Sequence, residues 1–183
     1  MRYSMFAFVG LALLLITLAN AQHSAPWNAR IKSDRRVNFG SYRNYSWLNL
    51  HAHSTPWGAR IKTAINSTLA SKGLTQVDSA GDVSIVVLEM TKEHQTLSSY
   101  YDQEGYGGWG WRWGGGFPDP PTDSEEVYEE GTLVVDLFDS RTKKVIWRGS
   151  SKNTLSGKLT DDDKKLKRDV NKLFAHFPPK PEK

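Results

Sequence analysis

No cysteine occurs in the 183 residues. That absence removes disulfides, thiolate metal sites, thiol nucleophiles and any lipid attachment through an N-terminal cysteine, so stability rests on packing alone. An excess of one charge is also missing. Lys and Arg number 24 against 20 Asp and Glu, for a formal net charge of +4. Without a clustered basic stripe, this dispersed excess gives no footprint for nucleic acid. The chain carries no Gly-x-Ser-x-Gly elbow, phosphate loop, dinucleotide fingerprint or zinc-protease helix motif. No catalytic residue, cofactor-binding residue or metal ligand is therefore assigned, and no enzymatic activity is expected.

The apolar run from Met5 to Leu18 falls short of the roughly 20 residues that span a bilayer. Arg2 precedes it, and Ala19-Asn20-Ala21 follows with small residues at its first and third positions. Charged start, short apolar core and small-residue site form the pattern of a secretory signal peptide over residues 1–21, cleaved after Ala21. The alternative is an uncleaved N-terminal membrane anchor. With 38% hydrophobic residues, the remaining chain is long enough for one domain, expected over residues 22–180 with a tail at 181–183.

The stretch from Glu130 to Asn153 organises that domain. Leu133, Val135 and Leu137 alternate with Thr132, Val134, Asp136 and Phe138, and Val145, Ile146 and Trp147 resume an extended pattern after the polar turn from Asp139 to Thr142. This is an antiparallel hairpin with one wholly apolar face. A first strand is expected from Trp27 to about Arg36 and an aromatic one from Asn44 to Leu48, with Tyr45 and Trp47 on a shared face. The run from Val83 to Thr91 reads as a strand buried on both faces beside the hairpin.

Two helices are expected to cover the sheet. One starts with Thr55 as N-cap and Pro56 at the first helical position, runs to Lys72, and ends at Gly73 as a left-handed cap. Ile61, Ala64, Ile65 and Leu69 recur along it at helical spacing, leaving Arg60, Lys62, Asn66 and Ser67 outside. The other runs from Asp161 to His176 behind a capping box of Thr160 and Asp163. Its stripe is Leu166, Val170, Leu173, Phe174 and Phe177, and Pro178 and Pro179 close it. The whole is an α+β fold: a mostly antiparallel sheet of about five strands, two helices packed on one face, and the opposite face partly wet.

Residues 94–129 break the pattern. Tyr106, Trp109, Trp111 and Trp113 stand among glycines, followed by Pro118, Pro120 and Pro121. That density of glycine and proline opposes a packed element, so a long loop is expected between two central strands. If the segment is extended, its three indoles share one face. Two readings stay open: an aromatic contact surface for an envelope protein, peptidoglycan or a membrane surface, or rings that fold back on the domain.

The order of YRNYSW, a helix ending in SKGL, a β run, the glycine-aromatic insertion, EGTLVVDLFDSRTKKVIWRG and a terminal helix ending in FPP resembles the bacterial family named domain of unknown function 4136. The resemblance covers about residues 27–180, and Gly131 to Leu137 with Lys143 to Gly149 is its most specific part. It implies an exported cell-envelope protein with a small α+β fold. Many members are lipoproteins; lacking the lipid-bearing cysteine, this chain is implied to be periplasmic or secreted, without a thiol-linked anchor. The family supplies no activity and no site residues.

Other candidates have plainer readings. His51 and His53 present two ligands without a third, whereas zinc sites want three or four, so they read as loop residues before the helix. Asp136 is expected to be solvent-exposed or paired with Arg, because charges are seldom buried unpaired. Glu125, Glu126, Glu129 and Glu130 supply paired carboxylates of the kind glycoside hydrolysis needs, but an acidic run beside prolines reads more simply as a solvated loop. The expected role is a non-enzymatic structural or interaction module using the aromatic loop, with a binding module for cell-wall glycan or lipid as the alternative.

Overall fold

The computed structural model describes residues 29–91, 95–97, 100–101, 127–152, 154 and 162–179. The signal-peptide stretch, the glycine-aromatic residues 106–121 and the proposed cap at Thr160 lie outside these residues. In chain order the strands are β1 (Ala29–Ser33), β2 (Asn44–His51), β3 (Thr75–Gln76), β4 (Val83–Glu89), β5 (Gln95–Thr96), β6 (Val127–Tyr128), β7 (Leu133–Asp139) and β8 (Val145–Ser151). Helix α1 is Thr55–Ser71 and helix α2 is Asp162–Leu173.

Six strands form the main sheet, in the order β1-β8-β7-β4-β2-β3. The expected hairpin is its middle, with Leu133 opposite Ser151 and Asp136 opposite Arg148. Strand β4 lies beside the hairpin and away from the edge, as its two-sided burial predicted, and it runs antiparallel to β7. The sheet is nevertheless mixed and has six strands, not about five and mostly antiparallel: β2 runs parallel to both β4 and β3. The reason lies in the connection, because a helix between neighbouring strands is a crossover, and a crossover returns the chain in the same direction.

The N-cap position of helix α1 is Ser54, whose side chain makes no capping bond, and Thr55 is the first helical residue. Its far end has the expected geometry. Gly73 takes a φ of 87°, its N–H reaches the Ala70 carbonyl, and the Leu74 N–H reaches that of Leu69. This paired arrangement satisfies two terminal carbonyls and needs a residue without a Cβ penalty. Asn66 is half-buried rather than outside: its Oδ1 accepts from the Tyr45 hydroxyl at 2.8 Å and the Trp47 indole at 3.0 Å. Those two aromatics do share a face.

Ile61, Ile65 and Leu69 of α1 and Leu166 and Val170 of α2, with Phe174 just beyond it, are buried against Val83, Ile85, Val87, Leu133, Val135 and Leu137. Phe174 stacks on Trp147 with centroids 4.7 Å apart. Gly149 makes that closeness possible, because a Cβ there would lie 2.4 Å from the Trp147 ring and 2.9 Å from Leu173. Thr68 of α1 donates to Asn171 of α2 at 2.8 Å, tying the two helices together.

The opposite face is covered at its centre, while an open cleft lined by Ser46, Leu48 and Ser84 leaves its β2 side partly wet. Val86, Leu88, Val134, Phe138 and Val145 form a second buried cluster, covered by Leu97, Tyr101 and Tyr128 from the two ends of the excursion. Those ends pair as β5 and β6. The segment between β4 and β7 is therefore loop-like in composition only in its middle; its flanks are structural.

Candidate functional site

Where the excursion leaves the sheet, three polar side chains meet in the second core. Alternation puts Asp136 of β7 and Arg148 of β8 on this face, opposite each other across the ladder. The Arg148 Nε and Nη2 donate to the two carboxylate oxygens of Asp136, each at 2.6 Å. The Tyr101 hydroxyl donates to Asp136 Oδ2 at 2.5 Å. Asp136 is 0% exposed and Arg148 3%, so the pair is Arg-paired and enclosed; the solvent-exposed alternative for Asp136 is overturned. A planar guanidinium suits this two-point contact, and the low dielectric makes each bond strong and each missing partner costly. Burial pulls the Arg148 pKa down, but the facing Asp136 charge and its bond outweigh that and hold it above its ordinary value. Burial first, and the Asp136 charge second, push the Tyr101 hydroxyl well above its usual range. With donors and acceptor matched and no solvent access, this cluster fastens the excursion to the hairpin.

Tyr106, Trp109, Trp111 and Trp113 lie outside the described residues. The structure brings together their flanks instead: Tyr100 packs edge-on to Tyr101 at 5.5 Å, and Tyr101 edge-on to Phe138 at 6.1 Å.

His51 is the last residue of β2 and not part of a loop, and it meets the Tyr100 ring at 5.6 Å. His53 does lie between strand and helix. Its Nδ1 is 2.6 Å from Glu89 Oε1, and its backbone N–H donates to Glu89 Oε2 at 2.8 Å. Glu89, at the end of β4, thus secures the turn into α1. Among the described residues no group of three or more His, Asp or Glu side chains is arranged to hold a metal ion. Of the four acidic candidates, Glu125 and Glu126 lie outside the described residues; Glu129 is exposed and paired with Lys152 at 2.6 Å, and Glu130 is exposed.

Two hollows flank the β2 start, and neither was foreseen. The chain from β3 to β4 crosses over β2 so closely that a Cβ on Gly81 would lie 2.5 Å from the Ser46 nitrogen. Asp82 then caps the strand, accepting from the Arg43 and Asn44 N–H groups at 2.8 and 3.2 Å. Between this crossing and the hairpin turn lies an open cleft of about 1020 Å³, whose lining includes Asp78, Asp82, Ser84, Asp139, Ser140 and Arg141. The Tyr42 hydroxyl donates to Asp139 Oδ2 at 2.8 Å, and the Thr142 N–H to Oδ1 at 2.6 Å. Partial burial of Asp139 acts to raise its pKa, but these bonds prevail and hold it below the ordinary value. The cleft's carboxylates Asp82 and Asp139 are thus spent on turns of the fold. On the helix side of Tyr42 is a smaller hollow of about 230 Å³ walled by Phe39, Leu74, Val83, Leu137, Ile146 and Phe177, with Arg43 and Lys72 in its rim. Its walls come from six separate segments, which is why no local pattern announces it.

A mixed sheet roofed by two helices on one side and by the stem of a long insertion on the other defines a small α+β domain. The chain belongs to the family described as domain of unknown function DUF4136, whose model matches residues 29–179. A crystal structure of a family member from Bacteroides thetaiotaomicron is 15% identical, with a TM-score of 0.56, and the match covers 83% of this chain and 96% of that one. A PDZ domain protein from Parabacteroides distasonis is 13% identical with a TM-score of 0.52, over 86% of this chain but only 36% of the other. A PelC dodecamer from Paraburkholderia phytofirmans is 10% identical at a TM-score of 0.44, covering 81% of this chain and 95% of that one. At these identities the likeness is one of fold alone. Among curated proteins, none matches the sequence. Among the described residues no helix is long and apolar enough to cross a membrane.

Proposed function

We propose that this protein is an exported cell-envelope component without enzymatic activity, a structural or interaction module that contacts its partner through the aromatic excursion. One observation carries the reading: the excursion starts and ends on a built stem. Its strands β5 and β6 pair, Leu97, Tyr101 and Tyr128 are buried in the second core, and Tyr101 is bonded to the enclosed Asp136 and Arg148 pair. A stem fastened this firmly presents the segment between its ends from a fixed base, and Tyr106, Trp109, Trp111 and Trp113 supply flat rings that bury large area with few rotamers to freeze. The partner class is an envelope protein, peptidoglycan or a membrane surface. The test replaces Trp109, Trp111 and Trp113 by Ala, verifies folding by circular dichroism, and measures capture on peptidoglycan, liposomes and envelope extracts. Loss of one of these is expected; capture unchanged on all three removes the proposal.

The second reading, a binding module for cell-wall glycan, rests on the open cleft beside Asp82 and Asp139, whose hydroxyl-rich rim offers both donors and acceptors. Titration of Ser84→Ala and Thr142→Ala variants with soluble peptidoglycan fragments tests it, and affinity equal to the parent's would discard it.

A further inference from the structure

The two helices lie side by side, parallel and in register. Thr68 donates to Asn171 at 2.8 Å and Lys72 to the Ala175 carbonyl at 3.3 Å, both across 103 residues, and Arg60 with Asp163, 3.7 Å apart, repeats that separation. A constant offset means that both run the same way. With α1 about 25 Å long, they form a plate over the sheet. Its charge is uneven. Helix α1 holds two cations and no acid, and α2 holds five cations and three acids. Seven against three leaves an excess of four, which equals the formal net charge of the whole chain. An excess that is dispersed by count along the sequence is thus gathered by the fold onto one side.

On α2 the exposed positions include Lys164, Lys167, Arg168 and Lys172, whose spacings put them on one outward face, while Leu166, Val170 and Leu173 are buried on the other. Asp169 is turned inward, at 6% exposed, and Asp163 stands in the first turn. No cation here has to lack a partner. Arg60 pairs with Asp163, and Lys165 and Arg168 share Asp169, but these acids are already in the balance. The basic row works against the helix that carries it: Lys164 stands three and four residues before Lys167 and Arg168, where like charges repel, and in the first turn it adds to the positive end of the dipole. The outward residues of α1 are small, among them Ala59, Thr63, Ser67 and Ala70. Among the described residues the exposed large apolar side chains, Ile31 and Leu48, are on strands. A basic plate of low relief with nothing to insert is complementary to a flat anionic surface.

We propose that the outward face of α2, with α1 beside it, rests on an anionic lipid bilayer through Lys164, Lys167 and Arg168, as a peripheral contact held by charge. The aromatic excursion takes no part, so this contact goes beyond the role proposed above and is tested apart from it. The probe is co-sedimentation with vesicles of phosphatidylglycerol and phosphatidylcholine, against phosphatidylcholine alone. The protein is expected to prefer the anionic vesicles, and to lose that preference as salt rises. Lys164→Glu/Lys167→Glu is expected to cut the preference at least about tenfold, since each cation near such a surface contributes about fivefold. Its thermal midpoint is expected to be no lower than the parent's, because acids in this half of the helix suit the dipole and the spacing to Arg168 becomes attractive. The neutral Lys164→Gln/Lys167→Gln is expected to give a smaller loss in the same direction. Arg141→Glu/Lys144→Glu makes the same charge change on the hairpin turn and is expected to leave the preference intact, as is replacement of Trp109, Trp111 and Trp113 by Ala. A parent without preference, or a preference that survives both lysine variants, overturns the proposal. So does an equal loss in the hairpin-turn variant, which would assign the effect to net charge. Peptidoglycan capture that depends on the two lysines while vesicles show no preference also overturns it, because the face would then belong to the cell wall.

Discussion

The two faces of the sheet are buried by different means. On one side, α1 and α2 lay continuous apolar stripes over Val83, Ile85, Leu133, Val135 and Leu137. On the other, the ends of an insertion cover Val86, Val134 and Phe138 while enclosing an ion pair. The helical face is held by area and close fit, which tolerate exchange among apolar residues of similar volume. The insertion face adds a directional contact: a carboxylate that needs three specific donors has one good arrangement. The helices thus supply most of the burial, and the Asp136, Arg148 and Tyr101 cluster sets how the excursion docks.

The largest effect that separates the two faces is expected at Arg148. Replacing it by Met strands the Asp136 carboxylate in an apolar core and is expected to cost about 3–5 kcal/mol in denaturant unfolding. Adding Asp136→Leu is expected to restore much of the loss; equal destabilisation of single and double variants would break the distinction. On the helical side, Leu69→Ala leaves a cavity beneath α1, with a loss of about 2–5 kcal/mol and no recovery by any polar partner. Tyr101→Phe removes a hydroxyl bonded to a carboxylate, for about 1.5–3 kcal/mol. Hydrogen exchange sharpens this case, because protection is expected to fall at Val127 and Tyr128 while the amides of α1 keep theirs.

The smallest effects are those of pH. The Tyr101 pKa is raised by burial, so the folded state holds that proton more tightly than the unfolded chain does. Its contribution is complete below pH about 10, the ordinary tyrosine value, and is lost as pH rises from there toward the folded value. Asp139 runs the other way: its folded pKa is lowered, so its contribution is present above the ordinary carboxylate value of about 4 and lost as pH falls through the folded one. Thermal melts across pH should show an alkaline limb flattened by Tyr101→Phe and an acid limb flattened by Asp139→Asn. Limbs unaltered in the variants would show that other groups carry them.

Legibility followed the range of the interactions. The Leu133 to Leu137 alternation, the Ile61 to Leu69 stripe and the left-handed Gly73 are local, and each stood where the sequence placed it. The parallel pairing of β2 was missed because strand direction depends on what a helix connects and not on the residues of the strand. The Asp136 and Arg148 pair left a faint sign, because Asp136 falls on the face opposite the apolar triad, but a register shift between Leu137 and Phe138 kept the hairpin turn from fixing which residue it would meet. Tyr101 gave no such sign, being 35 residues from its acceptor, nor did the two hollows, whose walls converge from distant segments.

By itself the sequence determined the periodic elements, the hairpin, the burial of one sheet face and the lack of thiol chemistry, because periodicity and composition act over a few residues. Tertiary structure alone decided the mixed strand order, the closure of the second face by the stem of the insertion, and the apolar recess behind Tyr42. These arise from contacts between segments far apart in the chain, where the free energy depends on which surfaces meet and not on any pattern within one of them.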